Sequence, residues 1–395
     1  MNVLYVTATL PFGRPEAFLI PEITCVGDSH PVTIVPVRPR GAVVHTDAMG
    51  LASRTLQDGL LSAAIVRGAV CQTAVAPART LSTLTLLLRS RTPRILAKNL
   101  AVFPKGLWLA RTTTQLDIDH IHAHWASTSA TVAMVAARVS GTPWSFTAHR
   151  WDIAEDNLLR VKVADARFVR AISRRGARSI AARTSGVTPD IEVMHVGVAL
   201  PDRVSQTPSD GFRVVAIADL VDVKGHRYLI EAIASLRAAG SRVELDLAGD
   251  GPLRQSLTAQ VEQAGLGRVV RFMGTQPHAD LLAGLAAGRW DAVVVPSVRV
   301  GDVEEGIPVS LMEAMAAGVP VVSTRTGGIQ ELIDERTGLL VDGGDADGLA
   351  QALGRLERDH VLRHALAREG RARVERAFNV RSIAAALIDR FAESS

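Results

Sequence analysis

Short apolar runs alternate with stretches of helical periodicity along the whole chain. Apolar runs of about four to eight residues predict buried strands, and the amphipathic stretches between them predict helices that cover a sheet. This alternation is typical of α/β proteins with parallel sheets. The predicted strands span 2–7, 32–37, 119–123, 144–148, 166–172, 191–196, 213–218, 243–248, 268–273, 291–296, 320–323 and 338–341. The clearest predicted helices span 226–239, 252–264, 278–287 and 307–317.

The predicted strands fall into two groups, which indicates two doubly wound domains. Between the groups, the segment 197–212 is rich in Pro, Ser, Asp and Gly and is typical of a linker. We therefore expect a first domain over 1–197, a second over 198–379, and an amphipathic helix within 380–395. Because ligands of open α/β sheets bind beyond the carboxyl ends of the strands, the loops at those ends are the places to look for a site.

Length and composition are those of a globular protein. The 395 residues suffice for two domains, and the hydrophobic fraction of 47% supports substantial cores. The net charge of +4 is too small to indicate nucleic-acid binding. No apolar run predicts a membrane span, and the first residues are typical of a strand instead of a signal peptide. Cys25 and Cys71 show no metal or redox spacing, which favours a reducing compartment, so we expect a cytoplasmic protein.

The segment 51–115 is both basic and apolar. It contains nine Lys or Arg residues and a single acid, Asp58, with apolar side chains such as Leu81 and Trp108 interleaved. A basic amphipathic helix can lie peripherally on the anionic inner face of a membrane. Alternatively, these helices cover a sheet and the arginine head groups reach out to solvent. The pattern leaves both interpretations open.

The segment 305–322, EGIPVSLMEAMAAGVPVV, carries the strongest candidate chemistry. Glu305 precedes a predicted helix with Pro308 in its first turn, and Glu313 lies about two turns further on. Carboxylates accept hydrogen bonds from sugar and ribose hydroxyls, and the free N–H groups of a helix start favour phosphate. The pattern therefore fits a phosphorylated, polyhydroxylated ligand. Helix capping and a solvated helix face are the alternatives.

The string 297–340, which contains this segment, resembles the donor-binding region of family-four glycosyltransferases, which are retaining enzymes that use nucleotide sugars. The likeness is closest to the subgroup that makes exopolysaccharides such as colanic acid. It implies the GT-B fold, in which two Rossmann-like domains face each other across a cleft and the last helix crosses back to the first domain. The resemblance extends to 10–23, 120–153, 219–233, 245–257 and 270–281.

The resemblance implies roles for residues of the second domain. Glu305 would contact hydroxyls of the donor sugar, Glu313 would accept from the ribose, and Lys224 would neutralise the departing diphosphate. A solvated surface position is the alternative for each. Further donor contacts are assigned to Gly225, Met273, Gly306, Ile307, Pro308 and Arg325.

The phosphate-binding loop departs from the family pattern. Family members carry Gly-Arg-Leu before the lysine, whereas this chain has Ala-Asp-Leu at 218–220. Because an aspartate repels phosphate, we expect another cation to substitute, with Arg325 and Arg14 as candidates. Alternatively, Asp219 pairs with Lys224 or Arg227 in the absence of donor, or it marks a degenerate enzyme.

Two histidines of the first domain, His124 and His149, end successive predicted strands. A histidine can donate to a phosphate oxygen or a sugar hydroxyl near neutral pH, and the resemblance implies that His149 is catalytic and that His124 binds the acceptor. Asp152 and Glu16 are assigned to the acceptor as well; Asp152 could instead orient His149. His122 is expected on the opposite face of its strand, in a structural role.

We expect a retaining hexosyltransferase that moves a sugar from a nucleoside diphosphate sugar to a glycan, lipid-linked or small-molecule acceptor. No HExxH motif, donor-loop DxD motif or Cys/His cluster indicates a metal, so neither a metal nor a cofactor is expected. The rivals are a nucleotide-sugar 2-epimerase and a catalytically silent nucleotide-sugar-binding protein, the latter because of Asp219.

Overall fold

The computed structural model describes residues 1–13, 16–43, 48–187, 190–202, 211–301 and 303–393. The chain divides into two units. The first combines Met1–Gly197 with Val380–Ser395, and the second spans Val198–Asn379. Each unit is built around one six-stranded parallel sheet with helices packed against it.

In the parallel sheet of the first unit, strands are added first on one side of β1 and then on the other. Its strands are β1 (Val3–Thr7), β2 (Val32–Pro36), β3 (His120–His124), β4 (Trp144–Ala148), β5 (Val169–Ala171) and β6 (Ile191–Val193). They pair in the order β2-β1-β3-β4-β5-β6. Every residue of β1, β3 and β4 is buried, as expected for a sheet covered on both faces. The order reverses between β1 and β3, which makes their carboxyl ends a topological switch point.

Three helices of the first unit begin at a residue whose side chain caps them. Ser62, Thr92 and Ser173 each accept a hydrogen bond from an N–H three residues on, which satisfies a donor that the helix start leaves free. The helices are α1 (Ile20–Ser29), α2 (Met49–Ala52), α3 (Ala63–Val75), α4 (Pro77–Leu87), α5 (Pro93–Gln115), α6 (Thr128–Ser140), α7 (Trp151–Glu155), α8 (Leu159–Asp165) and α9 (Arg174–Arg183).

The second unit repeats the arrangement. Its strands are β7 (Phe212–Ile217), β8 (Val243–Ala248), β9 (Val270–Gly274), β10 (Ala292–Val295), β11 (Val321–Thr324) and β12 (Leu339–Val341), in the order β12-β11-β10-β7-β8-β9. The switch point lies between β7 and β10. The helices are α10 (His226–Ala238), α11 (Arg254–Gln263), α12 (His278–Ala286), α13 (Val309–Ala316), α14 (Ile329–Leu332), α15 (Ala346–Arg358) and α16 (His360–Ala377).

The last helix, α17 (Val380–Glu393), belongs to the first unit. It packs against α1 and buries Leu387 and Phe391 completely. The ring of Phe391 stacks on His120 of β3 with centroids 4.6 Å apart. The core of the first unit is therefore completed by the end of the chain.

The predicted elements are confirmed. Each of the twelve predicted strand segments overlaps a strand of the described structure, with bounds that agree to within about three residues. The four helices named from the sequence are present as α10, α11, α12 and α13. Half of the predicted linker, residues 203–210, lies outside the described residues. No helix in the described ranges is long and apolar enough to cross a membrane.

Candidate functional site

The loops that follow β7 and β10 meet at the switch point of the second sheet. Lys224 ends a short 3-10 turn after β7, and Glu305 lies in the loop after β10. Their Nζ and Oε2 atoms are 2.5 Å apart, and the two side chains are 21% and 14% exposed. The ion pair is therefore partly accessible, at the sheet edge where the sequence predicted a site.

Gly225 allows the loops after β7 and β10 to approach each other. Its φ is +67°, and a Cβ there would lie 2.0 Å from the Pro296 carbonyl oxygen. Only glycine fits both the left-handed conformation and the contact. Next to it, the Val298 N–H donates to the Val223 carbonyl at 2.9 Å, which links the two loops. Gly225 thus determines where Lys224 is held.

The Glu305 carboxylate and backbone are both fixed by neighbours. Ser297 Oγ donates to Oε2 at 3.3 Å, and the Gly306 N–H donates to Oε1 at 3.2 Å. At Gly327, where φ is +54°, a Cβ would lie 1.8 Å from the Glu305 carbonyl oxygen. The Gly328 N–H donates to the same oxygen at 3.2 Å. The glycine pair 327–328 therefore brings the loop after β11 against the backbone of Glu305.

Glu313 lies on α13 and forms an ion pair that the sequence did not predict. Its Oε1 is 2.7 Å from Nε2 of His278, the first residue of α12, and the carboxylate is 12% exposed. The signal that could have indicated His278 is its place directly after β9, at the same sheet edge. Met273 lies within β9, and its carbonyl accepts from Gln276 Nε2 at 2.6 Å.

The turn 306–308 precedes α13 without being part of it. The helix begins at Val309, two residues after its predicted start, with Pro308 in the N-cap position. Pro308 is buried and Ile307 half-buried. In the first turn of α13 the Leu311 N–H donates to the Pro308 carbonyl at 3.1 Å, whereas the N–H groups of Val309 and Ser310 are left for an external acceptor. α10 begins directly after Gly225 and has the same property.

Of the two cations proposed to replace the family's arginine, one pairs with an acid and the other lies outside the described residues. Arg325 pairs with Asp342 at 3.2 Å, and both side chains are more than half exposed. Arg14 is not among the described residues. Asp219 is exposed, and Lys224 pairs with Glu305 instead of with it, so the Asp219–Lys224 alternative is wrong for this structure.

In the first unit, the Glu16 carboxylate is buried and organises the loop after β1. It accepts hydrogen bonds from the N–H groups of Ala8, Thr9 and Leu10 at 3.1, 2.5 and 2.8 Å. Nε1 of Trp125, beyond β3, donates to the same carboxylate at 2.5 Å. The contacts of Glu16 are thus those of a residue that joins two loops, and its role in acceptor binding stays a prediction.

Asp152 plays a similar part for the loops after β3 and β4. It is fully buried and accepts from the N–H groups of Ala126, His149 and Arg150 at 2.7, 3.1 and 2.8 Å. Burial raises the pKa of Asp152, and these hydrogen bonds oppose the rise. The geometry therefore supports the alternative in which Asp152 orients the backbone at His149.

His124 is enclosed in a polar cluster beneath the sheet edge. Its Nε2 lies 3.2 Å from Glu22, which also binds Arg170 at 2.5 Å. Burial favours the protonated form of Glu22, but the charges of Arg170 and His124 outweigh it and lower the pKa of this carboxyl. The expectation that His122 lies on the opposite face is wrong: residues two apart in a strand share a face, and the two rings are 5.2 Å apart.

His149 is part of an aromatic stack at the carboxyl edge of the first sheet. Its ring lies 4.0 Å from that of Trp125, which in turn lies 5.3 Å from Trp151. Nε2 of His149 is buried without a hydrogen-bond partner in the described chain, and burial holds its pKa well below the usual value. Trp125 has a φ of +79°, which is rare for a bulky residue and concentrates at functional sites. The sequence singled out neither tryptophan.

A cavity of about 180 Å³ opens beside this stack. The half-exposed ring of Trp151 and the Lys98–Glu155 ion pair, with its atoms 2.5 Å apart, form part of its wall. Arg38, exposed after β2, lies on the same wall. The cavity therefore combines an aromatic face with charged groups of both signs.

Two buried lysines hold the loops around the cavity. Lys162 donates to the carbonyls of Ala126 and Ser127 at 2.8 Å each, and burial lowers its pKa to about 7. Lys105 donates to the carbonyls of Pro36 and Asp58 at 2.5 and 2.8 Å, and burial lowers its pKa to about 8. The carboxyl ends of β2 and β3 are thereby fixed from within.

Within the described residues, no group of three or more His, Cys, Asp or Glu side chains is arranged to hold a metal ion. Metal independence stays a prediction.

Comparison with known proteins gives the family of the second unit. Residues 201–373 match the family model described as Glycosyl transferases group 1. WcaL of Salmonella typhimurium, a glycosyltransferase assigned to colanic acid biosynthesis, is 34% identical over 208 residues, 51% of this chain and 51% of its own length. AmsK of Erwinia amylovora, an amylovoran biosynthesis glycosyltransferase, is 36% identical over 169 residues, 42% of this chain and 41% of its own length. The chain thus spans about half the length of these relatives.

A solved structure is similar to this protein over the whole chain. The structure of Anabaena HepE in complex with UDP is 19% identical and superposes with a TM-score of 0.73 over 100% of both chains. At this identity the likeness establishes the fold, and the predicted GT-B fold is confirmed. The second unit of this chain therefore belongs to the family of group 1 glycosyl transferases, within a chain of the GT-B fold.

Proposed function

We propose that the protein is a retaining glycosyltransferase that moves a hexose from a nucleoside diphosphate sugar to a hydroxyl of a glycan or glycoconjugate. The observation that carries the proposal is the Lys224–Glu305 pair at the switch point of the group 1 domain. It brings a cation and a carboxylate together where ligands of such sheets bind.

The diphosphate is assigned to the cation and the helix starts around it. Breaking the bond between the anomeric carbon and the phosphate oxygen leaves negative charge on the diphosphate, which a fixed cation stabilises. Lys224 supplies that charge, and the first turns of α10 and α13 supply free N–H groups. Glu305, whose oxygens are held by Ser297 and Gly306, accepts from the sugar hydroxyls.

The ribose is assigned to Glu313. Its carboxylate is fixed by His278 at 2.7 Å and is still partly exposed, so one oxygen can accept from a ribose hydroxyl. Asp219, which is exposed, stands where family members carry an arginine, so Lys224 acts without that second positive charge.

The acceptor is assigned to the cavity beside Trp151 in the first unit. An aromatic face stacks on the apolar side of a sugar ring, and neighbouring charged groups bind hydroxyls. The free Nε2 of the neutral His149 can accept or donate one hydrogen bond. Retention follows the family: the acceptor hydroxyl attacks the face from which the diphosphate leaves, and the departing phosphate takes its proton.

The relatives support this choice of chemistry. WcaL and AmsK are described as glycosyltransferases of colanic acid and amylovoran biosynthesis. The structures of HepE were determined in complex with UDP and with UDP-glucose. We therefore place the present protein in the synthesis of an extracellular polysaccharide or related glycoconjugate, with a nucleoside diphosphate sugar as donor.

The test measures the affinities of UDP, GDP and ADP by calorimetry, together with their monophosphates. Wild-type protein is expected to prefer one diphosphate over its monophosphate, and Lys224→Ala is expected to lose about tenfold or more of that preference. Arg268→Ala, an exposed arginine elsewhere in the second unit, is the matched control. An unchanged preference in Lys224→Ala would remove the proposed site.

The protein is then incubated with a nucleotide sugar that contains the preferred nucleoside diphosphate. Mass spectrometry and NMR of the products distinguish the rival functions. A product linked to an added glycan acceptor supports transfer. An epimerised sugar nucleotide formed without acceptor would establish the epimerase, and binding without any turnover over a broad acceptor panel would establish a silent binding protein.

A further inference from the structure

Exposed apolar side chains are concentrated on one helical hairpin of the first unit. Of the thirteen large apolar side chains that are exposed in the described ranges, eight lie between residues 49 and 100. We call residues 63–89, which contain α3 and α4, the α3–α4 hairpin. Its large apolar side chains that are more than half exposed are Val66, Val70, Val75, Leu81 and Leu88.

The inner side of the α3–α4 hairpin is fixed by packing. Ile65 and Leu87 are completely buried, and a Cβ at Gly68 would lie 2.6 Å from Cδ1 of Trp108 on α5. Val66 and Val70, four residues apart, share the opposite face of α3. The outward apolar side chains are therefore additional to the core contacts of the hairpin.

The charge of the hairpin has one sign. Residues 63–89 contain Arg67, Arg79 and Arg89 and no acid. Arg79 donates to the Val139 carbonyl at 3.2 Å. Arg67 and Arg89 are exposed and have no ion-pair partner among the described residues. Their charges are thus available to an anionic surface.

We propose that the α3–α4 hairpin is a docking surface for an anionic membrane. Aliphatic side chains enter the boundary between headgroups and acyl chains, and neighbouring arginines bind phosphate headgroups. The two alternatives left open for 51–115 then apply to different helices. α5 packs on α6 and buries Val102 and Leu107, so it covers the sheet, whereas α3 and α4 also present an outward apolar face. Docking would hold the enzyme at the surface where a lipid-linked acceptor is found. The proposal is independent of the transfer reaction, because binding is measured without donor.

The experiment is co-sedimentation of the full chain with vesicles of phosphatidylcholine alone and of phosphatidylcholine mixed with phosphatidylglycerol. Binding is expected to the mixed vesicles only and to weaken at high salt. Arg67→Glu with Arg89→Glu is expected to lower the partition coefficient by at least roughly tenfold. Val66→Ser with Leu81→Ser is expected to lower it as well, because the buried apolar area is lost.

Matched controls lie on the second unit. Arg268→Glu changes an exposed arginine and Val361→Ser an apolar side chain that is 81% exposed, and both are expected to bind as wild type does. Circular dichroism and the melting temperature confirm that each variant is folded. Equal sedimentation with both vesicle types, or hairpin variants that bind like the controls, would overturn the proposal. So would a dimer in light scattering that the hairpin variants dissociate, since a second copy would then cover this face.

Discussion

Gly327 packs against the backbone of Glu305 so closely that a Cβ at Gly327 would lie 1.8 Å from the Glu305 carbonyl oxygen. The loop after β11 therefore supports the loop after β10, and the position of the Glu305 carboxylate depends on the absence of a side chain one loop away.

Gly327→Ala is expected to weaken donor binding because the new methyl group displaces Glu305. The measurement is the dissociation constant of the nucleotide sugar, which we expect to rise about tenfold or more. Gly240→Ala is the matched control: its φ of +86° imposes the same backbone strain, but nothing lies within 4 Å of the new Cβ. Equal loss of stability with equal donor affinity in the two variants would contradict the supporting role of Gly327.

Glu313→Ala is expected to abolish discrimination between ribose and 2′-deoxyribose nucleotides. A hydrogen bond to a charged group contributes about 1.5–3 kcal/mol, so wild-type protein should prefer the ribonucleotide by roughly tenfold or more. In the variant the ratio should approach one. His278→Ala keeps the carboxylate but removes its partner, and it should give an intermediate ratio. If the ratio is the same in all three proteins, Glu313 does not contact the ribose.

Trp151→Ala is expected to raise the KM for the acceptor by roughly tenfold, with a smaller effect on kcat, because a stacking face of the cavity is lost. Trp151→Phe keeps an aromatic face and serves as the control. Donor affinity, measured in the absence of acceptor, should be unchanged in both variants. A rise in donor KM alone would refute the assignment of the cavity to the acceptor.

Lys162 is expected to make folding stability rise with pH above about 7. Burial lowers its pKa in the folded protein to about 7, against the opposing effects of Glu155 and Asp152. Below that pH both states carry the proton and the cost of burying the charge is complete. Between about 7 and 10.4 the unfolded chain binds more protons than the folded one, so stability increases, by up to roughly 1.4 kcal/mol per pH unit.

Urea unfolding of wild-type protein and Lys162→Met from pH 6 to pH 10 checks this expectation. The difference between their free energies of unfolding should change with pH in that window, in favour of wild type at high pH. Lys98→Met, which removes a partly exposed lysine of the same unit, should show no such dependence. If the difference between the two proteins stays constant with pH, folding does not lower the pKa of Lys162.

The strands and the sheet edge that carries the site could be predicted from the sequence, because each follows from a local pattern. Apolar runs locate the strands, and the rule that ligands bind at carboxyl ends brings Lys224 and Glu305 to one edge. That the two form an ion pair depends on Gly225, whose approach to Pro296 is a contact between distant segments.

Other parts of the site depend on tertiary packing and left no signal in the sequence. Nothing in the string around Trp125 indicates a positive φ or a contact with Glu16. Glu16 and Asp152 were assigned to the acceptor through the family resemblance, and only the structure shows that both carboxylates accept hydrogen bonds from backbone N–H groups. The error at His122 was one of strand geometry, since alternate residues share a face.

The contribution of α17 to the first unit has a consequence for biosynthesis. Phe391 covers His120 and Tyr5, so one face of the N-terminal sheet is finished only by residues near the end of the chain. On the ribosome, the whole group 1 domain must be translated before this face can close. The nascent first unit therefore exposes this face while the second unit is being synthesised.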